Sequence, residues 1–265
     1  MAKTVAKLRA IMNHLDVSTL EQYFVHEVEP FFVCDKVTVD VFNGYFGKGQ
    51  PRIPLRCVEL VEDRVLVVEY PISRVHESTK AEFSCEFLQS CGDGFAFGLA
   101  GSMTCHRPGH PDKEADATFT PLNSTPGRTT LPVLKDGSTR RFQDWITFAV
   151  EVGRYQSWAS LERAAHWWFE YTGVQYVLLI KVSKRARAMA YRLYDVQDYD
   201  ETNQVPPPAA AAATFRYQTH GAPVNVTLDN RRILSIPPTV NLPPGVNDTT
   251  VIDLRLVMRQ VIDSI

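Results

Sequence analysis

Asp116, in EADATFTP, opens a short run of strand-forming residues, and Glu151, in FAVEVG, closes an apolar one. Two carboxylates held at the same height on neighbouring strands can share a hard divalent cation such as Mg²⁺, which prefers oxygen ligands and keeps several waters. A cation held that way activates a bound water and stabilises charge on a phosphodiester under attack. Glu69, at the end of VLVVEY, is a third acid that could join the pair. The plainer reading is that all three are strand ends facing water, where acids are commonly found.

Other side chains bear on the same chemistry. His76 stands where a helix should begin, able to orient a water or a phosphate, or simply to make a first-turn hydrogen bond. Glu82 and Glu86 share that helix and read as further site acids or as a solvated face. Arg154, Lys181, Lys184 and Arg185, with Arg140 and Arg141, would grip phosphates if the fold gathers them at the Glu151 end of the sheet. Scattered, they are a solvated edge. Trp158, Trp167 and Trp168 could stack on bases, although tryptophan at helical spacing usually belongs to a core. Cys105, His106 and His110 lack a second ligand pair at a sensible distance, so zinc is not expected. GxSxG, Walker, GxGxxG and HExxH patterns are missing.

The elements that must position these groups can be read from periodicity. Val5, Leu8, Ile11, Met12 and Leu15 recur at helical spacing, and a second short helix from Ser18 carries Leu20, Tyr23 and Phe24. Residues 33–42 alternate and are β-branched, which predicts a strand; 43–54 read as loop from their Gly and Pro content. A hairpin is expected over 56–70, a helix over 76–91, a strand over 95–105 and another over 115–122. After a polar loop come an apolar strand (145–152), a helix capped by Ser157 and ended before Gly173, and strands over 174–182 and 188–196. VPPPAAAAA (205–213) reads as a spacer. Beyond it stand strand candidates at 215–218 and 231–236 and a last helix over 249–263, too small to fold alone and so expected to dock on the core.

A chain of 265 residues, 45% hydrophobic, can bury a sizeable core. Net charge is −2, so nothing draws the whole molecule to nucleic acid or anionic lipid, and a nucleic-acid partner needs a local basic patch. Five cysteines without a CxxC pair suggest no disulfide framework. The start shows neither an export signal nor a run long enough to span a bilayer, which points to an intracellular protein, in cytoplasm or nucleus, without membrane attachment.

The order of these motifs resembles the PD-(D/E)XK, restriction-endonuclease-like superfamily. In ELVEDRVLVVEYPISRVHESTKAEFSCEFLQSC, Glu59, Glu69, Pro71 and His76 fall on the opening of its Uma2-like branch. EADATFTP looks like the family's Pro-Asp element, with Asp116 as the aspartate and Ala115 in place of the proline. FAVEVGRYQSWASLERAAHWW is similar to the Glu-Val element and following helix of the fungal and oomycete branch: Glu151, Val152, Gln156, Leu161 and Ala165 match, while Tyr155 replaces a serine. The resemblance covers about residues 56–183. It implies an α/β fold, a mixed central sheet flanked by helices over 56–200, with an N-terminal helical extension (1–55) and a C-terminal β/helix extension (201–265). It further implies phosphodiester cleavage with Mg²⁺ or Mn²⁺ on Asp116, Glu151 and Glu69, and with His76 and Gln156 assisting. Where the pattern puts a lysine, this chain has Gly153. Gln156 cannot carry charge, and Lys181, one strand on, has a direction the sequence leaves open. The expectation is therefore double: a metal-dependent nuclease, or the same scaffold without catalysis, binding a protein or a nucleic acid.

Overall fold

The computed structural model describes residues 2–47 and 51–265. Thr4 caps α1 (Val5–His14) and Asp16 caps α2 (Val17–His26), each by accepting from a backbone N–H of the first turn. β1 (Phe31–Cys34) follows, then α3 (Val39–Phe46), which Thr38 caps through the N–H of Val41. The strand expected over 33–42 therefore stops at Cys34. VTVDVF alternates in type, but its own Thr38 caps a helix and Phe42, Tyr45 and Phe46 bury one helical face, so burial overrides β-propensity. Of the loop expected over 43–54, residues 43–46 belong to α3, and 48–50 lie outside the described residues.

β2 (Val58–Val61) and β3 (Arg64–Val67) form the expected hairpin through a two-residue turn with positive φ at Glu62 and Asp63, the geometry that matches strand twist. It adds to β1 in the order β1-β3-β2. The core under this small sheet holds Leu8, Met12, Phe24, Phe42 and Val65, and reaches across to Tyr155.

The larger sheet has the order β11-β10-β9-β8-β7-β4. Ser73 caps α4 (Arg74–Ser90), and β4 (Phe97–Leu99) pairs with β7 (Ala117–Pro121). Between them β5 (Thr104–Cys105) and β6 (Lys113–Glu114) make a separate ribbon, so the single strand expected over 95–105 is split. β8 (Phe148–Gly153) is antiparallel to β7 and parallel to β9 (Tyr176–Val182), with α5 (Trp158–Phe169) as the crossover. β10 (Ala188–Asp195) and β11 (Ala211–Arg216) complete an antiparallel edge. Three of the five alanines read as spacer, 211–213, thus begin an edge strand on β10.

Helices cover both faces. On one, Phe83 and Phe87 of α4 meet Phe119, Phe148 and Val150. On the other, Leu161, Ala165 and Trp168 of α5 meet Ala149, Val177 and Leu179. Every residue of β8 is consequently buried, and Glu151 alternates into the α5 layer. The C-terminal segment supplies β12 (Asn225–Asp229), α6 (Asn230–Ile233), β13 (Thr249–Asp253) and α7 (Leu254–Ser264). The helix expected over 249–263 is a strand and a helix: TTVID alternates exposed and buried, and Asp253 then caps α7. The strand expected at 231–236 is instead the turn of helix capped by Asp229. Val257, Met258 and Val261 of α7 are fully buried against α4, in the same core as the large sheet. Arg232 clips the segment to β10 through both Asp195 oxygens, at 2.5 and 2.6 Å. Among the described residues, no helix is long and apolar enough to cross a membrane.

If the C-terminal segment is part of one cooperative core, Met258→Ala should lower the unfolding free energy by about 2–5 kcal/mol. Urea denaturation followed by circular dichroism measures this; an unchanged midpoint would show α7 to be dispensable.

Candidate functional site

β7 and β8 bring the two strand acids together. Asp116 N donates to Val150 O at 3.1 Å, at the point where Ala117 pairs with Val150. Asp116 then turns its carboxylate along β8, where Oδ2 accepts from Val152 N at 2.7 Å. Its Oδ1 lies 3.2 Å from His76 Nε2, in the first turn of α4. Glu69, just beyond β3, accepts from Arg154 N at 3.0 Å through Oε2. Glu151 accepts from Trp168 Nε1 of α5 at 2.6 Å through Oε1, with Lys113 Nζ at 3.7 Å. Glu69, His76, Asp116, Glu151, Gln156 and Arg56 line one narrow cavity, with about 10 Å³ of room, the least that a single water needs.

These acids are not strand ends in water: none of the three is more than 5% exposed. Burial pushes the Glu151 carboxyl up to about 7; Lys113 opposes the shift and the charge of Asp116 adds to it. Burial likewise raises Glu69, against His76 and the Arg154 N–H. For Asp116 burial is outweighed by His76 and the Val152 N–H, so its carboxyl stays below the ordinary value. His76 is the counterpart: burial disfavours its charge, but Asp116, Glu77 and Glu69 together hold its pKa well above the usual imidazole value. The pocket therefore holds an Asp116–His76 ion pair and two further acids that burial drives toward the neutral form.

Three buried polar atoms around this cavity, Glu69 Oε1, His76 Nδ1 and Arg56 Nε, make no hydrogen bond of ordinary geometry to a described residue. His76 Nδ1 is 3.4 Å from Glu77 Oε1, close enough to feel its charge. A buried carboxylate oxygen without a donor fits a cation. Among the described residues, no three His, Cys, Asp or Glu side chains come close enough to hold an ion by themselves. The donor set is that of a hard cation that takes one or two carboxylates. It does not suit a structural zinc, which needs four protein ligands. His106 pairs instead with Asp112, at 2.9 Å.

The remaining expected residues divide. Gln156 lines the cavity, but its amide donates to Ser160 Oγ at 2.7 Å, and Ser160 in turn to Glu59, which also pairs with Arg163. Glu86 lies ten residues along α4 from His76, about 15 Å by helical rise, and is not in the cavity. Trp168 is core, and its indole serves Glu151. Arg154, Lys181, Lys184 and Arg185 all stand at the end of the sheet where β8 and β9 finish, the Glu151 end. Lys184 and Arg185 are exposed, and Lys184 donates to Val25 O. Arg154 stacks on Tyr155 and donates to its hydroxyl. Lys181 pairs in register with Gly153, shares its face of the sheet with Glu151, and donates to Gln156 O at 2.5 Å. Lys113 was not anticipated. It stands three residues before Asp116, yet it meets Glu151 only through the β7–β8 pairing, which no local spacing announces.

Neither a family model nor a curated protein sequence matches the chain. Among solved structures, a protein from Anabaena variabilis described as a "putative nuclease belonging to DUF820" is similar, at 11% identity and a TM-score of 0.45, over 86% of this chain and 99% of that one.

A Cβ at Gly153 would lie 3.0 and 3.2 Å from the Leu161 methyls and 3.2 Å from Gln156 Cβ. Gly153→Lys, which places a lysine two residues after Glu151, should therefore destabilise the fold by about 1–3 kcal/mol through overpacking. Equal urea midpoints for the variant and the parent would refute this account of the glycine.

Proposed function

We propose that the chain is a PD-(D/E)XK-like protein whose buried acids bind a divalent cation, Mg²⁺ or Mn²⁺, and that it cleaves phosphodiester bonds in nucleic acid. The observation that carries this reading is the cavity in which Glu69 Oε1 stands buried and unbonded beside Asp116, Glu151 and His76. Asp116 and Glu151 would hold the cation, and Glu69 stands beside them in the same cavity with one oxygen unbonded. The cation, when bound, supplies an acidified water and charge for the developing phosphorane. The protein's own groups prepare the rest. Trp168 fixes one oxygen of Glu151, and Val152 N–H fixes one of Asp116. His76 keeps Asp116 ionised. Lys113, beside Glu151, and Lys181, on the same face, provide the positive charge that Gly153 cannot. Lys184 and Arg185, exposed at the same end of the sheet, provide the phosphate contacts for a nucleic-acid strand.

A second reading has its own support. His76 already satisfies one oxygen of Asp116, and Leu161 packs where the motif lysine would begin. On that reading the scaffold binds nucleic acid or a protein without cutting.

One experiment separates the two. With Mg²⁺ or Mn²⁺ the protein should nick supercoiled plasmid, and Asp116→Asn with Glu151→Gln should reduce nicking by more than about 100-fold, since loss of partners behind metal ligands alone costs roughly 10–100-fold. Isothermal titration with Mn²⁺ should show binding that the double variant loses. A protein that binds no Mn²⁺ and leaves plasmid intact supports the non-catalytic scaffold.

A further inference from the structure

A larger cavity, of about 210 Å³, runs along β2. Every residue of that strand, Val58 to Val61, lines it. Successive side chains of a strand point to opposite faces, so a cavity that meets a whole strand in a row lies along its edge. β2 is such an edge: in the order β1-β3-β2 it pairs with β3 alone. The register shows which of its backbone groups turn outward. Val68 N donates to Cys57 O at 2.8 Å, and the two residues stand opposite each other by continuation of the Val58–Val67 pairing. Hydrogen-bonded and non-bonded pairs alternate in an antiparallel ladder, so Glu59 and Val61 bond to β3 while Val58 and Leu60 face the edge. Val58 N–H returns to Leu55 O. The C=O of Val58, and both the N–H and the C=O of Leu60, have no partner among the described residues. Across the cavity stand Ala164 and Trp167 of α5, with Pro111 and Lys113. Trp167 Nε1 donates to Pro111 O at 2.8 Å, which ties the two parts of that wall together.

We propose that this groove takes an extended, uncharged peptide segment of a partner protein, which adds to β2 as a further strand. Donors and acceptors alternating along an open edge are complementary to the backbone of another extended chain. A phosphodiester backbone has no N–H to offer the outward carbonyls. The charges of the lining are matched already: Glu59 pairs with Arg163 at 2.8 Å, Asp112 with His106 at 2.9 Å, and Lys113 stands 3.7 Å from Glu151. A wall so balanced complements apolar or small polar side chains, which would rest on Ala164 and Trp167. Natural edges are commonly guarded by a charged side chain. The charge on β2, Glu59, is turned instead to Ser160 and Arg163 of α5. Peptide binding here is independent of the nuclease reading.

A set of end-blocked heptapeptides, threonine at alternate positions with Val, Leu, Phe or Tyr between, tests this by isothermal titration of the full chain. At least one should bind, one molecule per chain. N-methylating one alternate set of its amides should weaken binding at least about tenfold more than N-methylating the other, because only one set meets β2. In amide hydrogen exchange, Leu60 N–H should exchange freely in the protein alone and slowly in the complex. Leu60→Pro removes that donor and none of the bonds to β3, a substitution that edge strands accept. It should weaken binding at least about fivefold, and the N-methylated peptides decide if it does not fold. Asp116→Asn with Glu151→Gln should bind the peptide as the parent does. The proposal is overturned if no peptide binds, if the two methylated sets behave alike, if folded Leu60→Pro binds as the parent does, if Leu60 stays unprotected in the complex, or if the acid-site variant loses binding. It is overturned as well if Leu60 is protected instead by a second copy as protein concentration rises, or by oligothymidylate.

Discussion

Burying negative charge is the constraint around which this molecule is arranged. Glu69, Asp116 and Glu151 share one small volume, and an uncompensated carboxylate in such a place is expensive. The fold meets the cost unevenly. Asp116 has an imidazolium and a backbone N–H, and stays ionised. Glu151 has an indole N–H and a lysine at the edge of contact, so its carboxyl titrates near neutrality. Glu69 spends one oxygen on Arg154 N–H and leaves the other without a partner. Each layer contributes one polar group that points inward for this purpose: His76 from α4 on one face, Trp168 from α5 on the other.

The parts outside the large sheet hold the site still. The chain after Glu151 is fastened from three directions at three consecutive residues. Glu69 takes the N–H of Arg154, the ring of Tyr155 enters the N-terminal core beside Phe24, and Lys181 donates to the carbonyl of Gln156. The N-terminal helices and the β1-β3-β2 sheet thus reach the acids through a packed tyrosine. From the other side, α7 fills the groove against α4 and so fixes the helix that carries His76. Side chains held this way lose little freedom on meeting a ligand, the requirement for a preorganised site.

Much of this was legible because burial and period are written in the residues. VLLIKV and FAVEV announce strands covered on both faces, and Ser157 and Gly173 bracket α5. Asp116, Glu151, Glu69 and His76 could be singled out, and one cavity contains all four. What failed was short or ambiguous. VTVDVF has the composition of a strand and becomes α3, because a capping threonine and a buried aromatic face decide it. The alanines of 211–213 favour helix and pair instead with β10, whose edge would otherwise be bare. Lys113 and Trp168 were invisible as partners of Glu151, since each meets it only through tertiary packing.

Gly153 shows how packing and chemistry were settled together. A motif lysine there would share a face with Glu151 and bring its ammonium to the acids without help from any other element. In this chain that space belongs to Leu161, whose methyls would lie 3.0 and 3.2 Å from any Cβ. Glycine lets the first turn of α5 sit directly on the end of β8. Two turns further on, about 10 Å along the axis, the same close approach delivers Trp168 to Glu151 Oε1. A side chain at 153 would require the Leu161 methyls and Gln156 Cβ to give way by a few tenths of an ångström. The lysines near the acids come from other elements: Lys113, in β6, stands 3.7 Å from Glu151, and Lys181 lies on the neighbouring strand, level with the glycine itself.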